Sequence, residues 1–182
     1  MQVNQLLSHG AVDEPGVLPH AEQLRRQSFV FGFDFGLDTL PAEPGILLIR
    51  GPRQYGKSTW LEGELRRTIT AYGPGSAYYL NGDEIPDVEV LVARIRELAG
   101  MFDPRRKVQR LFIDEITAIR EWQRGLKRLA DDGTLRDVLV VTTGSQALDL
   151  RRGAERLPGR KGRLARTSYR FTPVSFGEFE RV

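Results

Sequence analysis

Gly51-Pro52-Arg53-Gln54-Tyr55-Gly56-Lys57-Ser58, with Thr59 behind it, decides how the rest of this chain reads. It fits G-x-x-x-x-G-K-[ST] without a mismatch, and its flanks have the character that this pattern needs. Before it, Ile46-Leu47-Leu48-Ile49 is a short continuous apolar run, as expected of a strand buried on both faces. After it, Leu61, Leu65, Ile69 and Tyr72 recur at helical spacing until Gly73-Pro74-Gly75 ends the pattern. Gly51 and Gly56 permit backbone angles and a close approach that a Cβ would forbid. The loop can then wrap an anion with successive N–H groups, backed by the positive end of the helix beginning near Lys57. Lys57 supplies a mobile positive charge for β- and γ-phosphates. Ser58 supplies a hydroxyl for Mg²⁺, a cation that prefers oxygen ligands and retains waters. The loop from Gly51 to Thr59 is therefore predicted to bind a nucleotide.

Working outward, the chain alternates strand and helix. Ala77-Tyr78-Tyr79-Leu80 reads as a second strand, and Val88, Leu91, Val92, Ile95 and Leu98 as a helical face that stops at Gly100. Leu111-Phe112-Ile113 is a third strand, Trp122, Leu126 and Leu129 mark another helix, and Val138 to Val141 a fourth strand. A short helix is expected over 146–153, and a fifth strand from Tyr169 to Val174. Such alternation specifies an α/β fold with a mostly parallel sheet and helices on both faces. Upstream, residues 1–28 are polar and lack a clear period, so they read as an arm or loosely packed lead-in. Phe29, Phe31, Phe33 and Phe35 alternate with other residues, the period of an extended segment covering the core with one face. The alternative for these rings is a platform for adenine or a nucleic-acid base. The expected division is a lead-in over 1–40 and an ATP-binding domain over 41–182.

The third strand ends in two carboxylates, Asp114-Glu115. Ligands of open α/β sheets sit beyond the carboxyl ends of the strands, so Asp114 is placed to hold Mg²⁺ beside Ser58. Successive side chains alternate across a strand, so Glu115 should point elsewhere, toward a water in line with the γ-phosphate. Phosphoryl transfer needs mainly positioning and charge neutralisation, which these groups supply in outline. Lys57 and Asp114 are 57 positions apart, room for a complete strand–helix unit between the two motif strands. Strand four ends in Thr142-Thr143-Gly144-Ser145. Inserted between the motif strands, it would bring Thr143 or Ser145 near the γ-phosphate as a reporter of ATP against ADP, although strand-end capping by Thr and Ser is equally common.

Composition sets the outer bounds. The chain has 182 residues, 40% of them hydrophobic, and no cysteine, which excludes disulfide scaffolds, Cys-ligated zinc, iron–sulfur clusters and thiol nucleophiles. The two histidines, His9 and His20, lie outside every patterned segment. No apolar run approaches a membrane span, and Leu6-Leu7 is too short for a signal-peptide core, so a cytoplasmic protein is expected. Net charge is +3, but residues 151–182 hold nine basic and three acidic residues, a net of +6, which leaves −3 on the first 150. A basic tail on an acidic body suits a nucleic-acid or phosphate surface, a partner interface or a solvated edge.

Together, GPRQYGKST, YYLNGDE, LFIDEI, the EW and LKRLADDG segments, VVTTGSQ, ERLPGR and TPVSFGEF resemble the AAA+ ATPases. More narrowly, they are similar to a bacterial and archaeal AAA-domain family, related to the signal-transducing STAND ATPases, that often carries a C-terminal winged-helix or nuclease-like domain. The resemblance runs from about Gly45 to Phe179. It implies a three-layer P-loop sandwich of about five strands in the order 5-1-4-3-2, with ATP and Mg²⁺ bound and ATP hydrolysed. Glu115 and Lys57 are then catalytic. An arginine finger is expected among Arg151, Arg152, Arg156, Arg160, Arg163 and Arg166, with Arg160 in LPGR the first choice. The family's further domain is not in this sequence, which reads as an excised ATPase module in preference to an unusually short member of the family. Partners implied are ATP, a partner protein or a second copy, and DNA through the basic 151–170 stretch, where no base-reading motif is visible. Two other functions stay open: a nucleotide-gated assembly switch with little turnover, and a P-loop kinase.

Overall fold

A computed structural model of the chain describes residues 2–28, 35–145 and 164–172. The elements follow in order as α1 (Gln2–Ser8), α2 (Pro19–Arg25), β1 (Gly45–Arg50), α3 (Lys57–Tyr72), β2 (Ala77–Asn81), α4 (Val88–Ala99), β3 (Gln109–Asp114), α5 (Trp122–Asp131), β4 (Val138–Gly144) and β5 (Ser168–Arg170). Single 3₁₀ turns over Gly82–Glu84 and Ile116–Ala118 follow β2 and β3. Every strand expected from the sequence is present, within a residue or two at its start. The described part of β5 ends at Arg170, short of the Val174 expected.

All strand pairs are parallel, in the order β2-β3-β4-β1-β5. That is the arrangement 5-1-4-3-2 read from the other edge, so the fold is an α/β P-loop sandwich as expected. β4 lies between the two motif strands, its Ile49↔Thr143 and Ile113↔Thr142 pairs bringing three carboxyl ends to one rim. The sheet splits the core in two. On one face α4 and α5 pack Leu91, Ile95, Leu126 and Leu129 against Leu48, Leu111 and Val140. On the other, α3 packs Leu61, Leu65 and Ile69 against Leu47, Ile49 and Val141.

Residues 2–25 are not the loosely packed lead-in expected from their weak period. Leu7, Val12, Val17, Leu18 and Ala21 are buried in the same cluster as α3 and the sheet. Asn4 extends the edge of β2 in place of a strand: its amide donates to the Tyr79 carbonyl at 2.7 Å and its carbonyl accepts from the Tyr79 N–H at 2.8 Å. Their polar composition misled because seven-residue helices are too short to display a periodic stripe. Of the alternating phenylalanines, Phe29, Phe31 and Phe33 lie outside the described residues. Phe35 packs on the core, its ring 5.2 Å from Trp60 and 4.9 Å from Phe171 between centroids. Among the described residues, no helix is long and apolar enough to cross a membrane.

Candidate nucleotide site

The phosphate loop leaves β1 where the chain has no room for a side chain. A Cβ on Gly51 would stand 2.5 Å from the carbonyl oxygen of Phe171, just past β5. Gln54, with φ 64°, and Gly56, with φ 87°, turn the loop through the left-handed region before α3 begins at Lys57. The first N–H groups of that helix have no partner within it and face the loop. Lys57 is buried, its Nζ donating to the carbonyls of Gly51 at 3.0 Å and Pro52 at 2.6 Å. Burial lowers its pKa, opposed by the nearby carboxylates of Glu115 and Asp114 and reinforced by the charge of Arg53.

Across the rim, β3 ends at Asp114 and the chain turns sharply. Glu115 has φ 44° and ψ 48°, a sparsely populated conformation for a residue with a side chain. Because β3 ends at Asp114, this turn rather than strand alternation places Glu115. Asp114 receives the hydroxyl of fully buried Thr143, and Thr143 Oγ1 in turn accepts the Glu115 N–H at 2.9 Å. Glu115 Oε1 accepts from Thr117 Oγ1 at 2.7 Å, from the Ser145 N–H at 2.9 Å and from Ser145 Oγ at 2.7 Å. Burial alone would raise the pKa of Glu115, but these bonds from Thr117 and Ser145, with the Lys57 charge, hold it below the usual carboxylate value. Thr143 and Ser145, expected near the γ-phosphate, thus turn their hydroxyls to the acidic pair.

A cavity of about 540 Å³ joins the two halves, lined by Arg53, Gln54, Gly56, Lys57, Ser58, Thr59, Asp114 and Glu115, and also by His20 and Asp83. The loop and the acidic pair, 57 positions apart in the chain, therefore face one space. The Ser58 hydroxyl and the Asp114 carboxylate are hard oxygen donors lining the same cavity, a set that suits Mg²⁺ shared with phosphates. His20 and Asp83 were missed. His20 comes from the segment without period, and Asp83 sits in the 3₁₀ turn after β2, where Asn81 Oδ1 accepts its N–H at 3.1 Å. That turn is pressed on the acidic pair: a Cβ on Gly82 would lie 2.4 Å from the Glu115 carbonyl oxygen. Glu62 was missed too. It is buried one turn beyond Ser58 and accepts the Ala21 N–H at 2.9 Å, tying α2 to the helix that carries the loop. A larger cleft of about 650 Å³ lies between α4 and α5, walled by charges such as the Arg128–Glu89 pair at 2.9 Å, and holds no part of the loop. Arg160, with Arg151, Arg152, Arg156 and Arg163, lies outside the described residues, as does the expected helix over 146–153. Arg166 lies over the Tyr169 ring, 4.2 Å from its centroid.

A strand–glycine loop–helix unit facing a strand-terminal acidic pair, on a parallel sheet of order β2-β3-β4-β1-β5, defines a P-loop nucleotide-binding protein. The chain belongs to the AAA domain family of P-loop ATPases, whose sequence pattern it matches over residues 43–180. No curated protein matches it. Solved structures with the same fold include the Cdc6p protein of Pyrobaculum aerophilum, at 16% identity and TM-score 0.52, over 75% of this chain and 42% of that one. The Orc1 protein of Aeropyrum pernix, solved in complex with DNA, is 15% identical with TM-score 0.56, over 95% of this chain and 51% of its own. A DNA polymerase III gamma subunit-related protein of Thermotoga maritima is 10% identical with TM-score 0.50, over 76% and 44%. The chain spans about half or less of the length of these structures.

Proposed function

We propose that this chain is a cytoplasmic Mg²⁺-dependent ATPase module whose turnover drives or gates a partner protein or an effector domain. The observation that supports this best is the shared cavity, lined by a buried Lys57 at a helix N-terminus together with Asp114 and Glu115. Ser58 and Asp114 would hold Mg²⁺, which would supply positive charge to offset that of the phosphates. The loop N–H groups and Lys57 bind and orient the triphosphate. Lys57 leaves the carbonyls of Gly51 and Pro52 to do so. Glu115, kept ionised by Thr117 and Ser145, orients the attacking water and takes up its proton. The water oxygen bonds to the γ-phosphorus as the bond to the ADP oxygen breaks.

The decisive comparison is ATP binding and phosphate release by wild type, Lys57→Ala and Glu115→Gln. Lys57→Ala is expected to lose ATP binding. Glu115→Gln is expected to bind ATP as wild type does and to release phosphate at least about 100-fold more slowly. Normal ATP binding by Lys57→Ala would overturn the common premise. Phosphate delivered to an acceptor other than water would replace hydrolysis with a kinase reaction.

A further inference from the structure

Among the described residues, Arg53 is the arginine that lines the nucleotide cavity. It is the third residue of the loop, exposed, and followed at once by the left-handed turn at Gln54. Its Nε donates to Ser145 Oγ at 3.3 Å, and Ser145 Oγ donates to Glu115 Oε1 at 2.7 Å. One serine hydroxyl therefore connects a cation of the phosphate loop to Glu115, the carboxylate assigned above to the attacking water. The Ser145 N–H holds the same carboxylate oxygen at 2.9 Å, so any movement of Ser145 is felt at Glu115. Nε is the side of the guanidinium used here. The two terminal nitrogens can grip phosphate oxygens as a parallel pair. Among the described residues, the side-chain hydrogen bond that Arg53 would give up to turn toward a phosphate is a long one, to a hydroxyl.

Resting on the ATPase reading above, we propose that Arg53 is a catalytic arginine supplied in cis: it grips the terminal phosphate of ATP and, through Ser145, signals its presence to Glu115. With ATP bound, Arg53 neutralises charge on the γ-phosphate oxygens as the bond to ADP breaks. With ADP bound, it returns to Ser145. Hydrolysis in this chain then does not depend on an arginine from the tail for its first increment of transition-state charge.

The test uses the full chain with Arg53→Met, Arg53→Lys and Ser145→Ala, measuring the affinity of each for ATP and ADP with Mg²⁺ and phosphate release in a single turnover. Arg53→Met is expected to weaken ATP binding about tenfold, to leave ADP binding within about twofold, and to slow release by about 10²- to 10³-fold. Arg53→Lys should restore part of the ATP preference, because the charge remains without the paired donors. Ser145→Ala should keep the preference for ATP yet slow release about tenfold, separating grip from signal. Because Arg53 is exposed, far-UV circular dichroism and the thermal midpoint should not change. Equal losses of ATP and ADP affinity, or no change in either, would overturn the assignment while leaving the ATPase reading intact. Unchanged release by Ser145→Ala would overturn the signal through Ser145. A wild-type chain that binds no ATP would overturn the ATPase reading itself, and Arg53 with it.

Discussion

Thr143 shows how much of the acidic rim rests on one hydroxyl. It is fully buried, donates to Asp114 and accepts from the Glu115 N–H, so it fixes a side chain and a strained backbone together. Replacing it by valine keeps the shape and removes both hydroxyl bonds, leaving the Glu115 N–H its 3.1 Å bond to Asp114 Oδ1, at a cost of about 1–3 kcal/mol. Thr143→Val is therefore expected to lower the denaturation midpoint and to weaken Mg²⁺-dependent ATP binding, while Thr143→Ser keeps most of both. Gly82 makes the same point without touching the cavity. Its α-carbon is seated against the carbonyls of Asp114 and Glu115, and an added Cβ would have to push the Glu115 backbone away. Gly82→Ala is expected to slow phosphate release more than it weakens ATP binding, since the loop stays in place while Glu115 moves. Equal effects on the two measurements would place the strain elsewhere.

Elements were legible in the sequence in proportion to their apolar pattern. The strand of Ile46-Leu47-Leu48-Ile49 and the stripe of Leu61, Leu65 and Ile69 are buried as their spacing required. What the stripe concealed is the polar side of α3. Glu62, Glu64 and Thr68 are also buried, because α2, the Leu40–Pro41 segment and Arg110 close over that face. A buried carboxylate in an otherwise amphipathic helix has no signature in periodicity, since its partner is a backbone N–H far away in the chain. Glu62 has a pKa raised by burial, against the opposing bonds from the Ala21 and His20 N–H groups. The folded chain thus binds a proton more readily than the unfolded one, so this group lowers stability as pH rises from the usual carboxylate range through its raised value. Glu62→Gln keeps a carbonyl for Ala21 and removes the charge, so denaturation midpoints between pH 4 and 7 should flatten with no loss of stability near neutrality. Glu62→Ala leaves those N–H groups bare and should cost about 1–3 kcal/mol at every pH. A stability profile for Glu62→Gln that parallels wild type would sink the account.

At the scale of the whole molecule, the segment that precedes the matched family region behaves as part of the sheet's own cover. Leu7 is completely buried in the same cluster as Ala77 and Leu65, and Asn4 occupies the backbone of β2 as a sixth strand would. Asp13 binds both Arg25 and Arg66, at 2.9 Å in the second case, so α2 is also held to α3 from outside. Arg110 reaches from β3 to the carbonyls of Leu40 and Pro41, both at 3.0 Å, and pins the connection that leads into β1. These contacts join residues 4–25 and 40–41 to β2, β3 and α3, among them the elements that lead into the loop and the acidic pair. An appended arm would melt independently and tolerate truncation of its leucines. A built-in layer would not. Leu7→Ala is therefore expected to cost about 2–5 kcal/mol, the range for a fully buried leucine whose cavity cannot collapse. Trp60 sits on this face of the sheet and Trp122 on the other, so single-tryptophan variants retaining one or the other report the two sides separately. Both should lose structure at one denaturant concentration in the wild type and, together, at a lower one in Leu7→Ala. A Leu7→Ala chain that shifts only the Trp60 transition, or neither, would show that residues 2–25 are an accessory to the domain rather than part of its core.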